Sequence, residues 1–553
     1  MQDNIPGGAR RPLVWTIAGT DSGGGAGIHA DTRAFDAFEV HGACAVAAVT
    51  AQHSCAVDSV APVAPAMLDA QLAALAADMP PDAIKTGLLA SVENLRVVVA
   101  WVKRLRAGGR PVPLVVDPVF GATTGASFSD DALRAAYRDE LLPLATLATP
   151  NLVEARTLAG VAPADVRPRD IDARTRETAS LARVWRGFGV DAVVITGGDV
   201  EPEAPPPRPY EGGDYGRERY GIPAAALASD WLDSDHGLPC RGWLALPRIA
   251  APHHHGTGCA FASAAAAALA HGFVAADAVV LAKMATAEAL RHGWAAGAGA
   301  GPVGPRAGFA RRLANLPTLA EDRPARTTLP FTAMPPTARG LYAIVDSSDW
   351  VARVAAAGVR LIQLRIKDAS PYTLVHEIRA ALAYAGDAGA TLIVNDHWQL
   401  ALELGAHGVH LGQDDLAGVD IPALRKAGML LGVSTHSYWE VCRARALLPS
   451  YIACGPIHAT QLKKMPWAPQ GEGNVAYWSS LVAPTPIVAI GGMDADRAYA
   501  AMVAGASSVA VVGAITRSAD PEAAIAGLQE AIAAGEQVRT HAAPAWARST
   551  LMS

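Results

Sequence analysis

Eight short apolar runs recur through the chain from residue 339 onward, and helical stretches separate most of them. The runs lie at 341–345, 361–364, 391–394, 409–411, 430–433, 451–454, 487–490 and 509–512. Continuous apolar strands that alternate with helices are typical of parallel sheets, because the connecting helices bury the sheet. Eight such units in about 215 residues have the count and size of a TIM barrel, so residues 339–553 are predicted to form a (β/α)8 barrel.

The first half of the chain shows a second alternation of strands and helices. Runs predicted to be strands lie at 13–18, 45–49, 83–85, 114–117, 147–149 and 192–196. This order favours a mainly parallel α/β sheet. Residues 200–240, rich in Pro, Gly and charge, are predicted to be an exposed insertion or lid. The predicted domains are residues 1–304 and 339–553, joined by a Pro- and Arg-rich linker at 305–338.

Composition narrows the expected partners to small molecules. The 553 residues carry a net charge of −6 and are 51% hydrophobic, which excludes wholesale disorder and gives no global attraction to nucleic acid or acidic membranes. The Ala-rich stretch at 258–270 is too short for a membrane span, and the run at 13–18 is too short for an export signal. Six cysteines without a CxxC pair indicate a reducing cytoplasm. The sequence is compatible with a homo-oligomer and does not determine the oligomeric state.

Polar residues follow most of the predicted barrel strands, at the rim where barrels place their active sites. Three of them are the cations Arg365, Lys367 and Lys463, which suit a substrate with several phosphate oxygens. Asp396 and Asp415 follow neighbouring strands, and their carboxylate oxygens suit one Mg²⁺ that bridges phosphates. The rim is therefore predicted to hold a diphosphate together with Mg²⁺.

Glycines follow the last two barrel strands, where barrels commonly bind phosphate. Gly491 and Gly492 come after the seventh strand and Gly513 after the eighth, so bare backbone N–H groups would face an anion. A phosphate site that is separate from the diphosphate site implies two phosphorylated substrates.

Eight motifs of the barrel closely resemble those of thiamine phosphate synthase, over essentially all of residues 339–520. They are GLYAIVD, QLRIKD, VNDHWQLA, GVHLGQDDL, LGVSTH, TQLKKMPWAPQG, VAIGGM and VAVVGAIT. The resemblance implies the joining of a pyrimidine diphosphate to a thiazole phosphate, which gives thiamine phosphate and pyrophosphate. By this analogy the pyrimidine diphosphate is held by Gln363, Arg365, Lys367, Asn395, Ser434 and Lys463. The thiazole phosphate is held by Thr460, Gln461, Leu462, Gly492, Val512 and Gly513, and Mg²⁺ by Asp396 and Asp415.

Two positions depart from the pattern of that family. Leu462 stands where the family usually has a hydroxyl residue, and Gly513 stands where it usually has Ser. Both lie on the predicted thiazole-phosphate side, whereas the Mg²⁺ and diphosphate set is intact. Synthase is therefore preferred, and a tautomerase or a thiazole-phosphate sensor stays the alternative for the barrel.

Two segments of the first half carry candidate chemistry. Asp21 follows the first strand and precedes a Gly-rich loop whose spacing does not match a dinucleotide site. The segment from His255 to Cys259 opens into an Ala-rich helix, so its amides and the helix N-terminus would form an anion hole. Cys259 lies where the helix dipole would lower the pKa of its thiol. The consecutive histidines 253–255 cannot easily point at one ion, and no metal site is predicted there.

Six motifs of the first half resemble the hydroxymethylpyrimidine/phosphomethylpyrimidine kinase of the ribokinase-like fold, over about residues 12–295. They are AGTDSGGGAGIHAD, VTAQHS, DAIKTGLL, VVDPVFGATTG, TPNLVEA and HGTGC. The resemblance implies that ATP phosphorylates hydroxymethylpyrimidine and then its monophosphate. By this analogy the pyrimidine is contacted by Asp21 and Gln52, and ATP and Mg²⁺ are served by Lys85, Asp117, Asn151 and Glu154. Cys259 is the base-like residue beside an anion hole formed by Gly256 and Gly258.

The two resemblances support each other, because the product of the kinase is a substrate of the synthase. Together they imply a bifunctional enzyme with an N-terminal ribokinase-like α/β sandwich and a C-terminal TIM barrel. Thr196 stands where many relatives of the kinase have Lys. This departure motivates the rival hypothesis that the first half binds pyrimidine or nucleotide without phosphoryl transfer.

Overall fold

The structure is a computed structural model that describes residues 10–121, 129–161, 171–197, 227–322, 329–459, 466–540 and 542–551. The chain divides into two compact units, with the boundary along the sequence between residues 326 and 327. That point lies inside the segment predicted as a linker, whose bounds at 305 and 338 stay a prediction. Within the same segment, residues 318–320 form a strand of the first unit.

The first unit contains one ten-stranded sheet. Its strands are β1 (Leu13–Gly19), β2 (His41–His53), β3 (Ala56–Pro62), β4 (Ala83–Thr86), β5 (Leu114–Val116), β6 (Leu147–Ala148), β7 (Ala192–Ile195), β8 (Leu227–Ser234), β9 (Cys240–Pro247) and β10 (Thr318–Ala320). Their order is β10-β9-β8-β7-β6-β5-β4-β1-β2-β3. The six central strands of this order, β7-β6-β5-β4-β1-β2, pair in parallel. At the two edges, β3 and the group β8 to β10 pair antiparallel.

Helices accompany this sheet and bury its centre. They are α1 (Gly27–Ala37), α2 (Pro65–Asp78), α3 (Val92–Ala107), α4 (Asp131–Ala136), α5 (Leu152–Leu158), α6 (Ile171–Gly187), α7 (Thr257–Ala270) and α8 (Ala275–Arg291). Strands β1 and β4 are buried along their whole length, and they carry the buried polar residues Thr16, Lys85 and Thr86 among apolar ones. Trp15, Tyr137 and Trp185 are among the large side chains that fill the core. The carboxyl ends of the parallel strands meet at one edge, where the polar residues of the site follow them.

The second unit is a closed barrel of eight parallel strands. They are β11 (Gly340–Val345), β12 (Leu361–Leu364), β13 (Thr391–Asn395), β14 (Gly408–Leu411), β15 (Leu430–Thr435), β16 (Tyr451–Cys454), β17 (Ile487–Ile490) and β18 (Ser508–Val511). Each strand pairs with the next, and β18 pairs with β11. The predicted TIM barrel is confirmed, and the predicted strand bounds differ from the observed ones by at most two residues.

Helices follow most of the barrel strands. They are α9 (Ser348–Ala356), α10 (Pro371–Asp387), α11 (Trp398–Glu403), α12 (Ile421–Lys426), α13 (Tyr438–Leu447), α14 (Gly471–Leu481), α15 (Ala495–Val503), α16 (Gly513–Thr516) and α17 (Pro521–Gln537). Short polar side chains start several of them, because an oxygen that accepts from the first turn satisfies an otherwise unpaired N–H group. Ser347 does so for α9 and Asp494 for α15. The barrel interior holds Tyr342, Tyr451 and smaller apolar side chains.

The exposed insertion predicted at 200–240 is wrong for residues 227–234. Residues 227–234 form the mostly buried strand β8, which pairs antiparallel with β7. The prediction failed because it extended the Pro and Gly density of residues 201–223 across a strand in which apolar residues alternate irregularly with Ser and Asp. Residues 198–226 lie outside the described part of the chain. The apolar stretch at 258–270 belongs to α7, and none of the described helices is long and apolar enough to cross a membrane.

Candidate active sites

A buried ion pair lies between β4 and α1 of the first unit. The Lys85 Nζ donates to both carboxylate oxygens of Asp31, at 2.9 and 3.0 Å. The hydroxyls of Thr16 and Ser263 donate to the same carboxylate at 2.6 and 2.7 Å. Burial alone would lower the pKa of Lys85, but the facing carboxylate raises it, so the ammonium group stays charged. The sequence analysis identified Lys85 and missed Asp31, although Asp31 ends one of the quoted motifs.

Asp117 and Cys259 lie beside this pair, so residues from four separate motifs are brought together. Asp117 follows β5, and its Oδ2 is 3.8 Å from the Lys85 Nζ. Burial raises the pKa of Asp117 to about 6, although Lys85 opposes that shift. Burial likewise raises the pKa of the Cys259 thiol to about 12. The expectation of a lowered thiol pKa is therefore wrong, because desolvation outweighs the attraction of the nearby ammonium group.

The anion hole predicted at Gly256 and Gly258 lies at the start of α7. Gly256 has φ of +80°, and a side chain there would meet the carbonyl oxygen of Gly25 at 2.1 Å. Only glycine fits this close approach of two loops. Gly258 has open space around it. The 14-residue helix directs its N–H groups and the positive end of its dipole to this point, as an anion would require.

The Asp21 carboxylate is already fully engaged inside the first unit. It accepts hydrogen bonds at 2.8–2.9 Å from the backbone N–H groups of Gly23, Gly25 and Ala26. The His255 Nε2 lies 3.0 Å from its Oδ2 and 3.3 Å from the Nε2 of Gln52. Burial opposes ionisation, but these hydrogen bonds together lower the pKa of Asp21. The glycine-rich loop thus wraps a carboxylate, with the His255 ring and the Gln52 side chain beside it.

A cavity of about 340 Å³ opens beside Asp21 and His255. The turn between β2 and β3 lines a second side, and the glycine-rich residues 296–302 line a third. Its volume is in the range of small-ligand sites. Residues of three of the quoted motifs, among them Asp21, His53 and His255, thus line a space that can admit a small ring compound.

Asn151 and Glu154 are paired with each other at the start of α5. Glu154 Oε2 accepts from the Asn151 N–H at 2.8 Å, and Asn151 Oδ1 accepts from the Glu154 N–H at 2.9 Å. This capping box fixes the beginning of the helix. Thr196 forms an isolated parallel bridge with Asn151, so the departure from the kinase pattern lies beside this pair.

A second buried ion pair near Thr196 escaped the sequence analysis. The Lys283 Nζ on α8 donates to Asp230 Oδ2 at 2.6 Å, and the Gly197 N–H donates to Asp230 Oδ1 at 3.0 Å. Both charged side chains are nearly inaccessible to solvent. Lys283 follows an ordinary helical pattern, so no sequence signal distinguished it.

At the rim of the barrel, Asp396 and Asp415 interact directly. Burial, the charge of Asp415 and a hydrogen bond between the two carboxyl groups raise the pKa of Asp396, while Arg365 acts to lower it. Two facing carboxylates repel each other unless a proton or a cation lies between them. Mg²⁺ usually takes one or two carboxylates and completes its shell with phosphate oxygens and water. The donor set fits Mg²⁺ bound with a diphosphate, and the described residues contain no group of three or more His, Cys, Asp or Glu that could hold a metal ion alone.

A chain of buried hydrogen bonds crosses the barrel and joins two predicted diphosphate residues. Gln363 Nε2 donates to the Tyr342 hydroxyl at 2.9 Å, and that hydroxyl lies 2.8 Å from the Tyr451 hydroxyl. His410 continues the chain, with Nδ1 3.0 Å from Tyr451 and Nε2 2.8 Å from the Ser434 hydroxyl. Burial lowers the pKa of His410 to about 4, so the ring is neutral at neutral pH. The sequence analysis missed both tyrosines, whose apolar neighbours indicated only strand.

The glycines after β17 lie against the segment that follows β16. A side chain at Gly491 would meet Pro456 at 2.8 Å, and one at Gly492 would meet the carbonyl oxygen of Ala459 at 2.6 Å. Both glycines have positive φ, of +104° and +66°. Gly513 begins α16 and has ordinary space around it, with Arg517 as its nearest neighbour at 3.7 Å.

The remaining predicted residues of the synthase site have mixed positions. Asn395 is buried and acts to lower the pKa of Asp396, whereas Lys367 is exposed at the rim. Val512 directly precedes α16 and has no side-chain capping bond there. The residues Thr460, Gln461, Leu462 and Lys463 lie outside the described residues.

Comparison with known proteins agrees with the two units. The family model described as phosphomethylpyrimidine kinase matches residues 21–304, and that described as thiamine monophosphate synthase matches residues 341–515. A thiamine-phosphate synthase of Rhizobium etli is 50% identical over 182 residues, which are 33% of this chain and 89% of that protein. One of Serratia proteamaculans is 48% identical over 205 residues, which are 37% of this chain and 96% of that protein.

A solved phosphomethylpyrimidine kinase of Clostridium difficile is 26% identical to the part of the chain that it matches, with a TM-score of 0.38. The match covers 50% of this chain and 99% of that one. The rival hypothesis of a first half without a kinase step is not favoured by the family match. The chain therefore belongs to the phosphomethylpyrimidine kinase family over its first unit and to the thiamine-phosphate synthase family over its second, as a bifunctional transferase of thiamine biosynthesis.

Proposed function

We propose that the first unit transfers phosphate from ATP to hydroxymethylpyrimidine and then to its monophosphate, with Mg²⁺ on the phosphates. The cluster of Lys85, Asp117 and Cys259 near the N-terminus of α7 supports this proposal. A charged ammonium group and helix N–H groups stabilise the charge that develops during phosphoryl transfer. Asn151 and Glu154 are proposed to serve the nucleotide side.

In this proposal the pyrimidine lies near Gln52 and the loop of Asp21. Because the Asp21 carboxylate is engaged by its own loop and by His255, its part is to hold that loop in place. Cys259 acts as a neutral thiol beside the Gly256–Gly258 amides, since burial keeps its proton in place. It would position the substrate hydroxyl through a hydrogen bond.

We propose that the barrel condenses the pyrimidine diphosphate with thiazole phosphate. The observation that carries this proposal is the pair of facing carboxylates, Asp396 and Asp415, beside the cation Arg365. Mg²⁺ bound there would neutralise charge on the departing pyrophosphate. Arg365 and Lys367 would bind its outer oxygens, and Asn395 would orient Asp396.

The remaining residues position the two substrates for attack. Loss of pyrophosphate leaves a resonance-stabilised pyrimidine-methyl cation, which the thiazole nitrogen then attacks. Gln363 and Ser434 are fixed by the hydrogen-bond chain through neutral His410, so they can hold the pyrimidine ring without moving. Lys463 is proposed to join the diphosphate site, and the thiazole phosphate is proposed to bind Thr460, Gln461, Leu462, Gly492, Val512 and Gly513.

One reaction followed by mass spectrometry tests both proposals. The purified chain is given Mg²⁺-ATP, hydroxymethylpyrimidine and thiazole phosphate, and thiamine phosphate is the expected product. Accumulation of the pyrimidine diphosphate alone would contradict the synthase proposal. Unchanged pyrimidine in the presence of ATP would contradict the kinase proposal, and supplying the diphosphate directly would then test the barrel separately.

A further inference from the structure

The last described segment of the chain, residues 542–551, has no part in the proposed reaction so far. We call it the C-terminal strap. Its residues Ala547, Thr550 and Leu551 are only 2–4% exposed, although the segment has little regular secondary structure. The Ala547 N–H donates to the Tyr438 hydroxyl at the start of α13, at 2.9 Å. Segments without regular secondary structure usually run over the surface, so this burial indicates a specific fit.

Arg548 joins the strap to the start of α14. Its N–H donates to Asn474 Oδ1 at 2.9 Å, and Asn474 Nδ2 donates back to the Arg548 carbonyl oxygen at 3.3 Å. Its guanidinium donates to the carbonyl oxygens of Gln470, at 2.9 Å, and Pro469. Gln470 in turn donates through Nε2 to the carbonyl oxygen of Gly455, just after β16. The strap is thus connected to the carboxyl end of a barrel strand.

The last residues of the strap contact a second segment of the same rim. The Thr550 hydroxyl donates to the carbonyl oxygen of His436 at 2.5 Å, and the Ala468 N–H donates to the Thr550 carbonyl oxygen at 2.6 Å. Leu551 pairs antiparallel with Trp467. The Trp467 ring stacks on the His436 ring, with centroids 5.0 Å apart and planes 2° from parallel. Two adjacent residues of the strap therefore tie the end of β15 to residues 467–468.

These contacts lie next to predicted substrate residues on both sides. His436 is two residues beyond Ser434, which is proposed to hold the pyrimidine diphosphate. Residues 466–470 follow directly on the segment that carries Thr460 and Lys463 in the sequence. We propose that the strap is a positioning element of the synthase site, which fixes the two rim segments relative to each other so that both substrates meet in register. This inference rests on the proposed synthase function.

The contacts of the strap favour positioning over general support of the fold. Most of the hydrogen bonds go to backbone carbonyls and N–H groups of rim segments. Backbone contacts set where a loop lies, whereas the barrel itself is closed by its own strand pairs. A misplacement of about 1 Å at a reacting centre can reduce a rate by about 100-fold, so loosening the strap should affect the reaction before it affects folding.

The test uses Arg548→Ala and Thr550→Val in the full-length chain. Arg539→Ala is the matched control, because the Arg539 guanidinium also donates to a backbone carbonyl, that of Ala506, which precedes β18 at the opposite rim. Synthase kcat and KM for thiazole phosphate are measured with pyrimidine diphosphate supplied, together with thermal unfolding. The kinase rate of the same samples serves as an internal reference.

We expect each strap variant to lower synthase kcat/KM for thiazole phosphate by about tenfold, with the kinase rate and the midpoint of unfolding close to those of the unchanged chain. The Arg539→Ala chain should match the unchanged chain. Unchanged kinetics in both folded strap variants would overturn the inference, as would loss of folding in both, since the strap would then only stabilise the barrel. An unchanged chain without any synthase activity would instead refute the proposed function on which the inference depends.

Discussion

The two units treat the charges of their sites in opposite ways. In the first unit, Lys85 and Asp31 are buried and satisfy each other, with two hydroxyls completing the carboxylate. In the barrel, Asp396 and Asp415 lie together at the rim, and burial and the charge of Asp415 raise the pKa of Asp396. The first arrangement is complete without a ligand, whereas the second is proposed to be completed by Mg²⁺. The ion pair of the first unit is therefore part of the core. The carboxylate pair of the barrel is proposed to be complete only when metal and diphosphate are bound.

The largest effect should come from breaking the buried pair. Replacing Lys85 with Met leaves the Asp31 carboxylate buried and unpaired, and the first unit should lose about 3–5 kcal/mol of unfolding free energy. Chemical denaturation measures the loss, with the synthase rate as a control that should not change. A double variant that adds Asp31→Asn should recover much of the stability, but it should not recover kinase activity. A single variant as stable as the unchanged chain would break the comparison.

At the barrel rim, a substitution is expected to reduce activity without reducing stability. Asp396→Asn should reduce the synthase rate by about 100- to 1,000-fold at saturating Mg²⁺, because it removes a metal oxygen and a negative charge. The unfolding free energy of the barrel should be unchanged or higher, since the variant relieves repulsion with Asp415. Asn also tolerates the φ of +62° at this position. A synthase rate that stays high would show that the carboxylate pair does not bind the metal.

A smaller loss should follow from Asp21→Asn, which weakens four contacts of a buried carboxylate. We expect about 2 kcal/mol less stability for the first unit at neutral pH. Because the folded pKa of Asp21 lies below its ordinary value of 3.8, this contribution is complete above that value and is lost as the pH falls through the folded pKa. Urea unfolding of both chains from pH 7 to pH 3 should show the two stabilities converging at the acid end. A constant difference would contradict the charge-based explanation.

The neutral thiol of Cys259 makes a milder prediction for the kinase. Because the pKa of the Cys259 thiol is about 12, the thiol should not ionise between pH 6 and 9. The pH profile of kcat in this range should therefore have the same shape in Cys259→Ser as in the unchanged chain. That variant should keep the rate to within about tenfold, because a hydroxyl can make the same hydrogen bond. The more exposed Cys55 should react with iodoacetamide before Cys259. A profile step near pH 7 that is lost on substitution would indicate a thiolate.

The smallest effect is expected at Gly513, and it should be a gain. Its φ is not in the left-handed region, and an added side chain would meet its nearest neighbour at an ordinary 3.7 Å. Gly513→Ser would therefore add a hydroxyl to the proposed phosphate site without strain. We expect KM for thiazole phosphate to fall by about two- to fivefold, the equivalent of about one hydrogen bond. A rise in KM would show that the phosphate lies elsewhere, and Gly473→Ser, in open space on α14, is the control.

The barrel was easier to predict than the sheet of the first unit. Its strands are all parallel and buried, so each appears as a short apolar run, and the observed bounds of β12, β16 and β17 equal the predicted ones. The strands that were missed in the first unit are the antiparallel ones at its edges. β3 is largely exposed and lacks an apolar run, and β8 follows a segment rich in Pro and Gly. Edge strands depend on their neighbours for pairing, which a local pattern does not record.

The sequence by itself determined the two fold classes and the placement of polar residues at strand ends, because parallel strands bring their carboxyl ends to one edge whatever the details of packing. Only the tertiary structure decided which of those residues are partners. Lys85 meets Asp31 across 54 positions, and Tyr342 meets Tyr451 across 109. Such contacts depend on sheet order and barrel closure, and burial then sets the pKa of groups such as Cys259 and His410. Desolvation is a property of the folded surroundings, so no local motif determines it.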